Sequence, residues 1–446
     1  MTASADQVHQ LLDHLFRREA GRIGSRLTRV FGAHRLTVVE DAVQFAMLQA
    51  LQLWPYKGVP DNPSAWLMRV AGNRAIDVIT AGRRLLSFDT PDAESDQEVF
   101  VSPHAQLASA GGLDADLGFE RELADEELCL MFVCCHPALP RASSVALTLK
   151  MLCGFGIAEI ARAFLTTEST ISQRLVRAKR LIRDDHVGFE VPGPEDLPAR
   201  LDTALEVLYL FFTEGYAPTS GDQLIKDAVC SDAIRLTRAL AEHSITGQPA
   251  CHALLALMLL QASRLHSRTD SAGELLLLKD QDRAGWDRSM IALGIRHLEK
   301  AGHGERLTSF HLQAEIAAVH AIAPTYEQTD WQHIVYLYNL LSEIQPTPVV
   351  WVNRAVAIAE FGGPDAGLAA LDHMTPGIPG SLHVSIPMAT GEFHRRRGDA
   401  STAIRFFSQA LELARTEPER RFVARRLASL RDRSAAPASE MLPDPS

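Results

Sequence analysis

Residues 157–183 read I-A-E-I-A-R-A-F-L-T-T-E-S-T-I-S-Q-R-L-V-R-A-K-R-L-I-R. Their periodicity is that of two short amphipathic helices. In the first, Ile157, Ile160, Ala161 and Phe164 share one face at helical spacing. Leu165, Thr166 and Thr167 make the turn. Thr167 is placed to cap the second helix, and Glu168 sits where the positive end of the helix dipole favours a carboxylate. The second helix repeats an apolar face at Ile171, Leu175, Ala178 and Ile182.

The face opposite that stripe, at about 100° per residue, holds Ser169, Gln173, Val176, Arg177 and Arg180, with Ser172 and Lys179 flanking it. A solvated helix usually mixes its charges. This one has five bases, Arg174 among them, after Glu168 and no acid before Asp184. Arg and Lys neutralise phosphates, while Ser and Gln hydrogen-bond base edges. Val176 has no reason to face water, but against a thymine methyl it would be well placed. The pattern is that of a helix-turn-helix whose second helix enters the major groove. The simpler alternative is a helical hairpin with a basic, solvated face.

Composition is compatible with that reading. The chain has 446 residues, 46% of them hydrophobic, enough for several domains each with a core. Leu and Ala abound and aromatics are sparse, which favours helix. No window of 18 apolar residues is uninterrupted, so no membrane span is expected. The start, M-T-A-S-A-D-Q, lacks the basic and apolar regions of a secretory signal. Six cysteines in so long a chain do not form a disulfide pattern, and a reducing cytoplasm is the expected location. The net charge of −11 is unevenly spread. Residues 1–86 hold 11 bases against 7 acids, and residues 141–186 hold 8 against 4. Between them, residues 87–127 hold 1 base and 12 acids. Two mildly basic modules flank an acidic connector, and screening within about 8–10 Å lets each act by its local charge.

Upstream, helices are predicted over residues 7–31, 37–53 and 64–84. In the second, Val39, Val43, Ala46 or Met47, Ala50 and Leu53 face inward, and Glu40, Asp41, Gln44 and Leu48 lie outward or on the edge. W-P-Y-K-G-V-P-D-N-P ends it. The third carries Trp66, Arg69, Asn73, Arg74, Arg83 and Arg84 along its length. Aromatics interleaved with bases and an amide suit unpaired DNA bases, which can be stacked and hydrogen-bonded. A core Trp66 with solvated arginines is the competing reading. Residues 87–120, rich in Asp, Ser and Gly, read as a flexible linker. Helices follow over 122–135 and 141–153, then the helix-turn-helix, then the Pro-rich hinge V-P-G-P-E-D-L-P at 191–198.

Beyond the hinge the chain is apolar and helical without strand alternation. W-V-N-R-A-V-A-I-A-E-F-G-G-P-D-A-G-L-A-A-L at 351–371 and P-M-A-T-G-E-F-H-R-R-R-G-D-A-S-T-A-I-R-F-F-S-Q-A-L at 387–411 each read as helix, turn and Ala-rich helix. The spacing of Gly391, Phe407, Ala410 and Pro418 is that of a degenerate tetratricopeptide unit.

Together these segments resemble a group IV, extracytoplasmic-function sigma factor of bacterial RNA polymerase. V-E-D-A-V-Q-F-A-M-L-Q-A-L (39–51) resembles the region-2 helix that docks on the polymerase clamp. D-N-P-S-A-W-L-M-R-V-A-G-N-R-A-I-D (61–77) resembles the segment that captures the melted −10 element. Residues 146–182 resemble region 4, the −35 reader. C-C-H-P-A-L-P, D-Q-D-R-A-G-W-D-R and the terminal hairpins resemble the subgroup with a tetratricopeptide-like extension. The resemblance implies an all-α chain with residues 1–86 as region 2, 87–120 as a flexible acidic linker and 121–186 as region 4. A hinge at 187–198, a helical-hairpin extension at 199–433 and a disordered tail at 434–446 complete it. It implies −35 contacts from Ser169, Ser172, Gln173, Arg174, Val176, Arg177, Lys179 and Arg180. Trp66, Arg69, Asn73, Arg74, Arg83 and Arg84 would take the −10 strand, and Asp41, Gln44 and Leu48 the clamp. The partners implied are core RNA polymerase, promoter DNA and a regulator or intramolecular contact through the extension. No cofactor, metal or membrane is implied. Three places depart from the family: Phe45 stands where an acid is usual, V-I-T-A-G follows Asp77 where bases are common, and Gly154-Phe155-Gly156-Ile157 replaces a more polar lead-in.

Other functions fit less well. Cys134-Cys135-His136 lacks the paired spacing and second cluster of a zinc site. A polymerase-independent helix-turn-helix regulator would need no region-2 block. The extension holds no G-x-S-x-G, phosphate loop or H-E-x-x-H. Its D-Q-D-R-A-G-W-D-R cluster, if not a site, reads as a buried ion-pair network.

Overall fold

Helix formers at apolar spacing leave little room for strands. The structure, a computed structural model, describes residues 5–89, 117–164, 166–217, 227–271, 274–372, 384–414 and 417–435. Among these residues the fold is all-α, and an isolated antiparallel bridge joins Thr269 to Leu275. No helix among them is long and apolar enough to cross a membrane. The chain divides into two compact units, Met1–Phe212 with Ser231–Gly247, and Thr213–Cys230 with Gln248–Ser446.

The first unit contains α1 (Ala5–Phe31), α2 (Leu36–Lys57), α3 (Pro63–Asp89), α4 (Leu117–Cys134), α5 (Arg141–Met151), α6 (Ile157–Ala163) and α7 (Glu168–Asp184). It also takes in parts of α8 (Leu197–Tyr216) and α9 (Asp227–Glu242). Ile23 and Leu27 of α1 meet an alanine-rich face of α2 (Val39, Ala42, Ala46, Ala50) and of α3 (Leu67, Ala71, Ala75), all at most 1% exposed. Small residues bring the helices close. Helix α2 outruns its expected end because Pro55 falls in its last turn, where a missing N–H removes only one bond. Gly58, at φ 82°, then closes it with its N–H on the Trp54 carbonyl.

The second half of this unit packs on the first. Glu126 of α4, 2% exposed, accepts from Arg26 and, at 2.7 Å, from Arg29 of α1. Its neighbour Glu127, also 2% exposed, receives two bonds from Arg235 of α9 at 2.5 and 3.1 Å. Phe155 meets Phe211 of α8 edge to face at 5.5 Å, and Arg141 pairs with Glu206. The sequence reading closes this module at residue 186. The structure carries the unit further, because a buried carboxylate and a buried ring are covered from α8 and α9. The expected linker falls largely outside the described residues; its ends, 87–89 and 117–120, are the last of α3 and the first of α4. Of the expected tail, 434–435 belong to the last helix and 436–446 lie outside the described residues.

The second unit runs through α10 (Pro249–Ala262), α11 (Arg288–Ala301), α12 (Ser309–Ile322), α13 (Trp331–Ile344), α14 (Pro348–Gly362), α15 (Pro364–Asp372), α16 (Ser385–Arg396), α17 (Ala400–Leu413) and α18 (Glu417–Ala435). Helix α10 is apolar and buried around most of its circumference, with His252 and Gln261 half-buried. The core then advances along the chain. Leu312, Ile334, Leu337 and Val350 form one cluster, Val352, Ala355, Leu371 and Phe393 the next, and Ala403, Phe407, Val423 and Leu427 the last. Helical hairpins α14–α15 and α16–α17 each turn at a glycine of positive φ, Gly363 at 89° and Gly398 at 88°.

The D-Q-D-R-A-G-W-D-R segment is a structural staple. Asp287 caps α11 through the amides of Ser289 and Met290 at 2.9 and 3.0 Å. Trp286 is buried beside Leu260, Ile291 and Ala318. The expected buried ion-pair network is corrected here. Arg283 donates to the backbone carbonyls of His320 and Ala323 at 2.6 and 2.7 Å. A guanidinium thus satisfies the free carbonyls at the end of α12, the need that every helix C-terminus has.

Candidate nucleic-acid interface

The helix-turn-helix forms as its residues demand. Glu159 reaches back to accept from the Gly156 amide at 2.8 Å, closing the start of α6. Ile160 and Ala161 are buried. Thr167 Oγ1 accepts from the Thr170 amide at 3.2 Å and caps α7. Ile171, Leu175, Ala178 and Ile182 are all buried, which fixes the rotation of α7 about its axis. Leu165, an expected turn residue, lies outside the described residues.

With that stripe inward, Ser169, Gln173, Arg177 and Arg180 are exposed, and Val176 is 63% exposed. Arg180 meets Asp184 one turn on at 3.4 Å, an exposed pair that a phosphate can replace. Ser172 and Arg174 are half-buried, with Ser172 Oγ bonded to the Glu168 carbonyl at 2.9 Å. Lys179 departs from the set. Its side chain is 13% exposed and its Nζ lies 2.5 Å from Glu40 on α2. Glu40, expected outward or on the edge, also has Lys150 Nζ at 3.7 Å. Helical periodicity gave no signal for this pairing, because it joins residues 139 positions apart.

On α3, Leu67, Ala71 and Ala75 are buried, which leaves Arg69, Asn73 and Arg74 exposed along one face. Trp66 is half-buried, edge to face with Trp54 at 5.5 Å. The residue therefore serves the core and still presents part of its ring. The Arg74 guanidinium lies over the Phe45 ring, 5.1 Å from its centroid, so Phe45 supports a basic residue of the neighbouring helix. Arg83 and Arg84 fall on α3, with side chains outside the described set. Asp41 and Gln44 are exposed on α2, and Leu48 is 56% exposed.

Cys134, Cys135 and Cys153 are buried, and burial pushes all three thiols up, Cys135 to about 12. Burial, then Arg200, lowers His136. Among the described residues no three His, Cys, Asp or Glu converge as a metal site.

Comparison with known families matches residues 15–85 to sigma-70 region 2 and residues 129–182 to sigma-70 region 4. The chain belongs to the sigma-70 family. Its partners are accordingly core RNA polymerase and promoter DNA. Helices α1–α3 carry region 2, and region 4 runs from α4 through α7. Residues 200–302 match a family of unknown function, DUF6596. An uncharacterized protein of Rhizobium meliloti (strain 1021) is 35% identical over 408 residues, 91% of this chain and 93% of that protein. The likeness therefore runs through the extension of this sigma factor as well as through its two sigma regions.

Proposed function

We propose that this protein is an extracytoplasmic-function type sigma factor of the cytoplasm, in which α7 reads the −35 element, α3 holds the melted −10 strand and α2 docks on the polymerase clamp. The observation that carries the reading is the pair of exposed polar faces. Ser169, Gln173, Val176, Arg177 and Arg180 lie on α7, and Arg69, Asn73 and Arg74 lie on α3. Each is backed by a buried stripe that fixes its orientation. Ser172, Arg174 and the exposed part of Trp66 border these faces, Arg83 and Arg84 continue α3, and Lys179 joins the −35 set once released from Glu40. Asp41, Gln44 and Leu48 form the clamp contact. The protein works by binding. Holding unstacked bases offsets the few kcal/mol needed to take each base out of the duplex stack, and core polymerase supplies the chemistry.

The helical hairpins of the extension form a tetratricopeptide-like array that regulates the sigma regions or binds a protein that does. Three features support this. The core advances hairpin by hairpin, Gly363 and Gly398 turn the chain, and Gly391 lies against the Phe407 ring, where its absent Cβ would be 3.1 Å away.

The reading is tested by adding the full chain to core polymerase and mapping transcript starts, and by one substitution. Arg177→Ala should weaken promoter binding and flatten the log–log salt dependence by about 0.9, the contribution of one phosphate contact. An unchanged slope, measured by titration at several salt concentrations, would remove Arg177 from the phosphate contacts.

A further inference from the structure

Within the first unit, regions 2 and 4 are joined by charge as well as by apolar packing. Glu40 of α2 takes Lys179 of α7 at 2.5 Å and Lys150 of α5 at 3.7 Å, and all three side chains are 13–14% exposed. Gln44 adds a hydrogen bond to the same carboxylate at 3.1 Å. On α1, Gly21 lies so close to the Leu152 carbonyl oxygen that a Cβ there would overlap it. Lys179 thus turns to protein while Arg177 and Arg180 on the same helix face water. A carboxylate and a phosphate offer an ammonium the same thing, an anionic oxygen at hydrogen-bond distance.

We propose that Glu40 occupies on Lys179 the place of a DNA phosphate, and locks regions 2 and 4 in a closed state that must open before both promoter elements can be read. This rests on the reading of α7 and α3 as the −35 and −10 readers. Both helices pack on α2. Neighbouring helix axes lie about 8–10 Å apart, so the two readers sit within about 20 Å of one another where they cross α2. Elements centred near −35 and −10 are about 25 base pairs apart, about 85 Å of duplex at 3.4 Å per step. The closed unit cannot span that distance. Asp41, Gln44 and Leu48 remain exposed in it, so polymerase can dock on region 2 first. Opening then frees Lys179 for a phosphate.

The test uses the full-length protein and a random-sequence DNA duplex, with affinity measured by fluorescence anisotropy across salt concentrations. Glu40→Gln removes the lock, and Gly21→Ala wedges the modules apart with no change in charge. Each should tighten binding and steepen the log–log salt slope by about 0.9, one added phosphate contact. Lys179→Ala introduced beside either change should remove the gain. Glu190→Gln, the same charge change at an exposed position, should leave the slope unchanged. Circular dichroism checks folding; if Gly21→Ala unfolds the unit, Glu40→Gln decides alone. Unchanged slopes in the folded variants, or a gain that survives the added Lys179→Ala, would overturn the lock. Polymerase-dependent transcription is measured on the same proteins. Its presence with unchanged slopes counts against the lock alone, and its absence with the slope gain retained counts against the promoter reading alone.

Discussion

Glu126→Ala is expected to destabilise the first unit by about 3–5 kcal/mol, the range for removing one member of a buried ion pair. Glu126 is 2% exposed, and the Arg26 side chain it holds is 8% exposed. Without the carboxylate, that guanidinium keeps its charge in a site with little water. Arg29, the second partner, is 54% exposed and can rehydrate, so Arg29→Ala should cost less than about 1 kcal/mol. Burying this pair is itself an expensive way to join α1 to α4, since one Glu126 oxygen, Oε2, has no hydrogen-bond partner. Replacing both Arg26 and Glu126 with methionine should therefore restore much of the loss. Urea unfolding followed by tryptophan fluorescence measures all three. Equal, small losses for Glu126→Ala and Arg29→Ala would mean that the pair is solvated and does not hold region 2 against region 4.

Ending the chain at Val191 is expected to abolish promoter-dependent activity through loss of region 4, whatever the extension regulates. Val191 marks the hinge legible in the sequence, but the cut removes the α8 and α9 residues that belong to the first unit. Phe155, 1% exposed, loses Phe211, and Glu127, 2% exposed, loses Arg235. Uncovering a phenylalanine forfeits about 1.5–3 kcal/mol of burial. Leaving a buried carboxylate without its cation adds a penalty of about 3–5 kcal/mol. Together these rival the whole stability of an ordinary domain, about 5–15 kcal/mol. A chain ending at Gly247 keeps both contacts and should retain a cooperative melt and amide protection in α7. Comparing the two truncations separates a folding defect from a regulatory effect. If the shorter chain melts as cooperatively as the longer one, α8 and α9 are dispensable to region 4.

Local pattern carried much of this protein into view. The stripe Ile171, Leu175, Ala178 and Ile182 and the Thr167 cap were readable because both depend on neighbours within two turns. The same holds for the buried Ala46 and Ala50 of α2 and the outward Gln173, Val176 and Arg177. Long-range pairing was not readable. Nothing near Glu40 in the sequence announces Lys179, and nothing near Glu127 announces Arg235, 108 positions away. Glu40 turns Lys179 toward protein rather than solvent, and Glu127 ties α9 into the first unit. Arg283 was misread for a related reason. In a run of acids it reads as an ion-pair partner, but its two shortest hydrogen bonds go to backbone carbonyls, and those leave no mark on side-chain composition.

Promoter-directed initiation, with α7 and α3 as the proposed readers, is tested most directly by adding the full-length protein to bacterial core RNA polymerase with a pool of genomic fragments and sequencing the transcript starts. The expected result is a set of starts that depend on the protein and share motifs near −35 and −10. Those starts should be lost together when Gln173 and Arg177 are both changed to alanine. No added starts, with no co-elution of the protein and core polymerase, would contradict it.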